Sequence, residues 1–279
     1  MTESDIDAIV QASSELKGDS RLVVLLGSPE GIKGVSKKLR GLHGVKKIRK
    51  GLFIISEPIS SHDETLHSRP YITFTKTREI PSHRRKSDDD SPNRVYTLVS
   101  FSFENPTAQQ KKRVERLLRK TTGIRLRPGV ILFPLLRSRE SRQILGSGEE
   151  RQLLSSIEFS RLIHASGGTT VRWSRLKVTI PSGINLIEKA VEKTQLRDLN
   201  ALEETIRALR ERIKDRSVSI SQLKKNYTTL ARRFRELKLK WELAKKLWFY
   251  DSEKSLKRTY NMLLSVRRAI VAEETHRGV

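Results

Sequence analysis

Apolar positions change their period several times along the chain. Short apolar runs at 21–27 (RLVVLLG) and 95–103 (VYTLVSFSF), rich in β-branched residues, predict strands. Each run is followed by a proline that suits a helix start: Pro29, and Pro106 after Asn105. The period then shifts to three and four. Ile32, Val35, Leu39 and Leu42 form one helical stripe, and Val114, Leu117 and Leu118 form another. Cations fill the remaining faces: Lys33, Lys37, Lys38 and Arg40 in the first helix, and Lys111, Lys112, Arg113, Arg116, Arg119 and Lys120 in the second. Glycines (Gly41 or Gly44, and Gly123) are the expected C-caps.

The segments after the two helices share a pattern. Residues 44–56 (GVKKIRKGLFIIS) and 123–134 (GIRLRPGVILFP) both run glycine, β-branched residue, basic stretch, aliphatic-Arg-x-Gly, then large apolar residues. Arg49 matches Arg127 and Gly51 matches Gly129. The Arg-x-Gly break predicts a bulge or a tight hairpin between two strands. After the second copy, Leu153, Leu154, Ile157, Leu162 and Ile163 predict a helix over 149–165, stopped by Gly167-Gly168, with a strand at 169–180. In the first copy that helix is expected to shrink to a loop before a strand at 71–77. The reading is an α+β chain with two tandem ferredoxin-like βαββαβ units, over 20–80 and 95–180. Residues 1–19 are read as a leader in which Ile6, Ile9, Val10 and Leu16 form one amphipathic helix. Residues 81–94 are read as an exposed linker, because the stretch 82–92 (SHRRKSDDDSP) has no apolar residue and its Asp triplet cancels its basic triplet.

From 181 to 279 the pattern is helical throughout. Leu196, Leu199, Leu202, Ile206, Leu209 and Ile213 fall at spacings of three and four. Leu223, Tyr227, Leu230, Phe234, Leu237, Trp241, Ala244 and Trp248 alternate four and three, a coiled-coil seam. Leu256, Tyr260, Leu263, Arg267 and Ile270 continue it more weakly. Turns are expected at 217–219 and 251–252, which carry N-cap residues. Such helices fold back as a coiled-coil hairpin or a three-helix bundle. The heptad spacing of the aromatics marks them as core rather than base-stacking residues.

Charge changes the picture from fold to partner. The 279 residues carry 56 Lys and Arg against 32 Asp and Glu, a formal net charge of +24. The excess lies in the last two blocks: 16 basic against 6 acidic residues in 95–180, and 23 against 13 in 181–279. Such a surplus points to a polyanionic partner, nucleic acid before all, with DNA favoured over RNA. The candidate phosphate contacts are the six cations of the second helix, with Arg125, Arg127, Arg172 and Arg175 on the strands after it. Lys224, Lys225, Arg232, Arg233 and Lys240 on the C-terminal helices complete the set. The acidic start, Met1-Thr2-Glu3-Ser4-Asp5, has the wrong sign for a signal peptide, and no apolar run reaches the length of a membrane span. A cytoplasmic protein without a membrane partner is expected.

Catalytic signatures are missing. There is no cysteine, hence no disulfide, thiolate metal site or cysteine nucleophile. His62 and His67 are spaced badly for a helical metal pair. Gly27-Ser28-Pro29-Glu30-Gly31 lacks the Lys-Ser/Thr ending of a phosphate loop, and Gly146-Ser147-Gly148 lacks the strand-to-helix setting of a nucleophile elbow. Glu104 is the one acid at a strand end of the basic unit, too few for metal-dependent phosphodiester cleavage. No catalytic residue, metal ligand or cofactor is assigned.

The segments 95–101 (VYTLVSF), 123–134 (GIRLRPGVILFP) and 164–169 (HASGGT), together with 247–251 (LWFYD) late in a charged helix, resemble the chromate-resistance regulator family over roughly 95–271. That resemblance implies DNA binding and transcription regulation. The ferredoxin-like core is also similar to the small CRISPR adaptation subunit, a homodimeric DNA-binding protein with an Asp at the end of its first strand. Here Ser102-Phe103-Glu104 holds no Asp. The expectation is a non-catalytic binder of double-stranded nucleic acid, either a monomer with an internal pseudo-dimer or a homodimer. Two alternatives stand beside it: an assembly scaffold whose C-terminal helices hold a protein partner, and an unusual metal-dependent nuclease.

Overall fold

The structure is a computed structural model and describes residue 16 and residues 18–56, 63–79, 94–136, 153–214, 218–248 and 253–277. Most of the leader, nearly all of the linker, His62, Ser147 and the turn at 251–252 lie outside the described residues. The chain is α+β and divides into two compact units, 1–190 and 191–279.

The first unit opens with β1 (Arg21–Leu25), α1 (Pro29–Arg40), β2 (Val45–Arg49), β3 (Leu52–Ile55), α2 (Asp63–His67) and β4 (Tyr71–Lys76). The same order recurs as β5 (Tyr96–Ser102), α3 (Ala108–Arg119), β6 (Ile124–Arg127), β7 (Val130–Pro134), α4 (Ser156–His164) and β8 (Thr169–Val178). All eight strands join one antiparallel ladder, ordered β2-β3-β1-β4-β8-β5-β7-β6. The order is a palindrome of equivalent strands, with the two last strands, β4 and β8, paired at its centre.

Both Arg-x-Gly breaks are a hairpin and a bulge at once. Gly51 (φ 66°) and Gly129 (φ 76°) occupy left-handed turn positions, and each hairpin carries a register shift just before its arginine. Each glycine carbonyl then accepts a bond from the first strand of its own copy, from Leu25 N at 2.9 Å and from Phe101 N at 2.8 Å.

Local chemistry moved several boundaries. In the first copy the expected loop contains a single helical turn, α2, because Leu66 is fully buried there. The helix expected over 149–165 starts at Ser156: Ser155 and Glu158 form a reciprocal capping box, Leu153 and Leu154 precede it, and 149–152 lie outside the described residues. A second capping box, Thr107 with Gln110, starts α3, one residue beyond the proline. Lys120, not Gly123, is its C-cap.

Each half has an apolar layer under its helices. Val23, Leu25, Phe53 and Ile55 meet Ile32, Val35, Leu39 and Leu66. Val99, Phe101, Ile131 and Phe133 meet Val114, Phe159 and Ile163. Strand residues alternate sides, so Leu22, Val24, Leu52, Ile54, Ile72 and Phe74 lie on the opposite face of the first half, and Tyr96, Leu98, Val130, Leu132 and Trp173 on that of the second. These are buried too, none above 3% exposed. The ladder covers them by folding on itself. β8 kinks at Arg175 (φ 58°), where its register with β5 shifts. Residues 169–173 and Leu176 pair with β5, and Leu176, Lys177 and Val178 pair with β4. Phe74 and Tyr96 then meet edge to face, 6.4 Å apart. Side chains of β2 and β6, at opposite ends of the order, reach the other copy: Arg49 Nη2 donates to Thr169 Oγ1 (3.1 Å) and Arg127 Nη1 to the Leu25 carbonyl (3.3 Å). In a flat sheet these partners would be about 20 Å apart, four or five strand spacings. The two inner faces therefore stack, with the helices outside. Burial pushes the Tyr96 phenol up to about 12, against the opposing pull of the Arg94 guanidinium.

The second unit consists of the rest of α5 (Pro181–Lys214), with α6 (Ile220–Trp248) and α7 (Glu253–His276). Leu202, Ile206, Leu209 and Ile213 of α5, Leu223, Leu230, Phe234 and Leu237 of α6, and Leu263, Val266 and Ile270 of α7 share one core. Trp241 and Trp248 are buried as well. α7 keeps Leu263 and Ile270 of its expected seam but buries Thr259 and Val266 in place of Tyr260 and Arg267. Tyr260 is 47% exposed and Arg267 lies outside. The cause is Glu203, a carboxylate only 1% exposed among the leucines of α5. It accepts from Thr259 Oγ1 (2.6 Å), from Arg258 (3.0 Å) and from Arg207 (3.3 Å), which fixes Thr259 inward. No helix among the described residues is long and apolar enough to cross a membrane.

Candidate nucleic-acid interface

Helix α3 is aimed by its two ends and its apolar stripe. Besides closing the capping box, Gln110 donates from Nε2 to the Ser166 carbonyl at 2.9 Å, tying the helix start to the turn after α4. Val114 is buried, and Leu117 and Leu118 are partly buried against the same core. That anchoring turns Lys112, Arg116 and Arg119 (spacing i, i+4, i+7) straight outward, with Lys111, Arg113 and Lys120 on the flanks. All six are exposed, and none has an ion-pair or hydrogen-bond partner for its cation among the described residues. The one acid on this helix, Glu115, is taken up by Arg125 at 2.6 Å. The outer surface of α3 is therefore a row of uncompensated cations about 10 Å long.

The strand arginines divide. Arg127 turns inward to the Leu25 carbonyl, and Arg172 donates to Ser156 Oγ at the start of α4 (3.3 Å). Burial lowers the pKa of both guanidinium groups, and of Arg49. These are packing arginines. Arg175 is exposed at the kink of β8, beside Lys76. Burial first, and then the Arg175 charge, lower the Lys76 amine. In the second unit Lys225 and Arg232 are exposed and Arg233 half-exposed. Lys224 pairs with Glu274, and Lys240 lies 3.9 Å from Asp198.

Sequence reading missed a second grouping. Arg210 of α5 and Lys254, Lys257 and Arg258 of α7 line an open groove of about 610 Å³ in the second unit. The clustering of 254, 257 and 258 within two turns was the available signal, but nothing in the sequence brings Arg210 beside them. Among the described residues no three His, Cys, Asp or Glu side chains converge as a metal site. The chain matches no protein-family model, no curated protein and no solved structure.

Proposed function

We propose that this chain binds double-stranded nucleic acid, DNA in the first place, through backbone phosphates and without catalysis. The observation that carries the reading is the outer face of α3: six exposed cations on a helix whose one acid is already engaged, held by a capping box and a buried stripe. A row of exposed cations suits backbone phosphates, which every duplex presents whatever its sequence. The recurring β-α-β-β-α-β order and its 4-1-3-2 strand arrangement support two ferredoxin-like units acting as an internal pseudo-dimer. The resemblance to chromate-resistance regulators and to the CRISPR adaptation subunit points the same way, and transcription regulation or DNA organisation is the corresponding role.

The test is a titration of the full chain with duplex DNA across salt concentrations. Neutralising about 5–8 phosphates gives a log K against log salt slope of about −5 to −7, with little dependence on base sequence. The triple variant Lys112→Glu, Arg116→Glu, Arg119→Glu flattens that slope by about one per lost contact. A flat salt response of the unaltered chain refutes the reading. A protein partner on the helices is the second reading, favoured by Tyr260 and Val271, both exposed on α7 and about three turns apart on one face. Such a chain would hold its partner at salt concentrations that release DNA.

A further inference from the structure

The cationic stripe of α3 has a counterpart in the first copy. Ser28 caps α1 as Thr107 caps α3, each accepting a bond from the backbone N–H three residues on. Counted from these caps, Val35 corresponds to Val114 and Leu39 to Leu118, so the two helices share the centre of their apolar stripe, although buried Ile32 of α1 falls on exposed Lys111 of α3. On the outer face Lys33, Lys37 and Arg40 correspond to Lys112, Arg116 and Arg119. The three are exposed, without a partner for their cations among the described residues. Between them Gly34 faces open space, with nothing within 4 Å of where a Cβ would stand. A glycine there costs the helix about 1 kcal/mol against alanine and contributes no packing. It leaves bare backbone between two lysines, where an extended polyanion can lie close.

The position of the two stripes gives them a function. The halves stack through their inner faces and carry their helices outside, so α1 and α3 lie on opposite surfaces of the first unit. Two helix layers around two sheets put the stripes roughly 30–40 Å apart. A straight duplex lying on one surface cannot reach the other. We propose that Lys33, Lys37 and Arg40 form a second phosphate-binding surface, and that one chain holds two duplex segments at once, one on each side of its stacked sheets. The inference rests on the reading of α3 as a phosphate-binding helix and extends it from one contact to a bridge.

A capture experiment with the full chain tests it. One short DNA duplex is fixed to a surface and loaded with the protein. A second, fluorescent duplex of unrelated sequence is then passed over, and retained fluorescence is read. The unaltered chain retains the second duplex, and its stoichiometry in solution is two duplexes per chain. The variant Lys33→Glu, Lys37→Glu, Arg40→Glu drops to one duplex per chain and loses retention roughly tenfold or more. The neutral variant Lys33→Gln, Lys37→Gln, Arg40→Gln does the same more weakly, and circular dichroism checks that both keep their helices. Retention that survives both variants places the second contact elsewhere, or in a self-associated chain, and overturns the inference. A chain that binds one duplex and never retains a second overturns the bridge and leaves the α3 reading intact. A chain that binds no duplex overturns both.

Discussion

At the scale of single residues, the repeat explains more than a hairpin. Gly51 adopts a left-handed φ, and a Cβ there would run into the Arg127 guanidinium and would also meet Ile32 Cγ2 at 3.0 Å. That guanidinium cannot simply swing away, since it bonds the Leu25 carbonyl across the two copies. Glycine, arginine and carbonyl are thus one interlocked contact, with the arginine of one copy seated on the glycine of the other. Gly51→Ala should destabilise the protein through both backbone strain and expulsion of Arg127, by about 2–3 kcal/mol. In an Arg127→Ala background only the strain remains. The two substitutions should therefore fall short of additivity by about 1 kcal/mol in denaturant melts. Strict additivity would show that Arg127 is not seated there. The pairing of Arg49 with Arg127 was legible in the sequence as a repeated Arg-x-Gly. Its use was not. An arginine in a segment of sixteen cations reads as a solvent-facing phosphate ligand, and only the stacking of the two halves brings a buried carbonyl opposite it.

At the scale of elements, periodicity located nearly every strand and helix, and side-chain chemistry set their ends. The two capping boxes are the clearest case, since Ser155-x-x-Glu158 and Thr107-x-x-Gln110 outweigh the proline and leucine signals beside them. The α7 seam shows the opposite. Heptad counting chose Tyr260 and Arg267 beside Leu263 and Ile270, yet the helix buries Thr259 and Val266 in their place, where Thr259 reaches Glu203. A buried acid inside a leucine seam is invisible to hydrophobic pattern and decides register here. Removing it has a calculable cost. Glu203→Ala takes the short charged acceptor from Thr259 and leaves its hydroxyl only the Ser255 carbonyl, 3.1 Å away, while Arg258 and Arg207, both largely exposed, can turn to water. The loss should be about 2–3 kcal/mol, below the range for a fully buried ion pair. Glu203→Gln, which keeps an acceptor for Thr259, should recover about half of it. Equal losses for both variants would mean that charge, and not the Thr259 bond, holds the helices in register.

At the scale of the whole molecule, the two halves of the first unit are bound by their shared inner faces, and neither half could expose its face to water without consequence. On the second half that face comprises Tyr96, Leu98, Val130, Leu132 and Trp173, all nearly inaccessible. A chain beginning at Arg94 would uncover all of them. Such a patch is of the size that drives association, so the shortened protein should form dimers or larger species by light scattering while the full chain does not. Tyr96 reports the same event independently. In the full chain its phenol is raised from 10.0 to about 12 by burial. A raised folded-state value means that the stability it contributes is complete below about pH 10 and is lost as pH climbs toward 12. The tyrosinate absorbance that Tyr96→Phe removes from the full chain should accordingly have its midpoint near 12. In the shortened chain, if it is held monomeric by dilution, that midpoint should fall toward 10, because the face that desolvated the phenol has gone. A late titration that persists in the monomeric shortened chain would mean that Tyr96 is buried within its own half, and the stacking of the two inner faces would have to be abandoned.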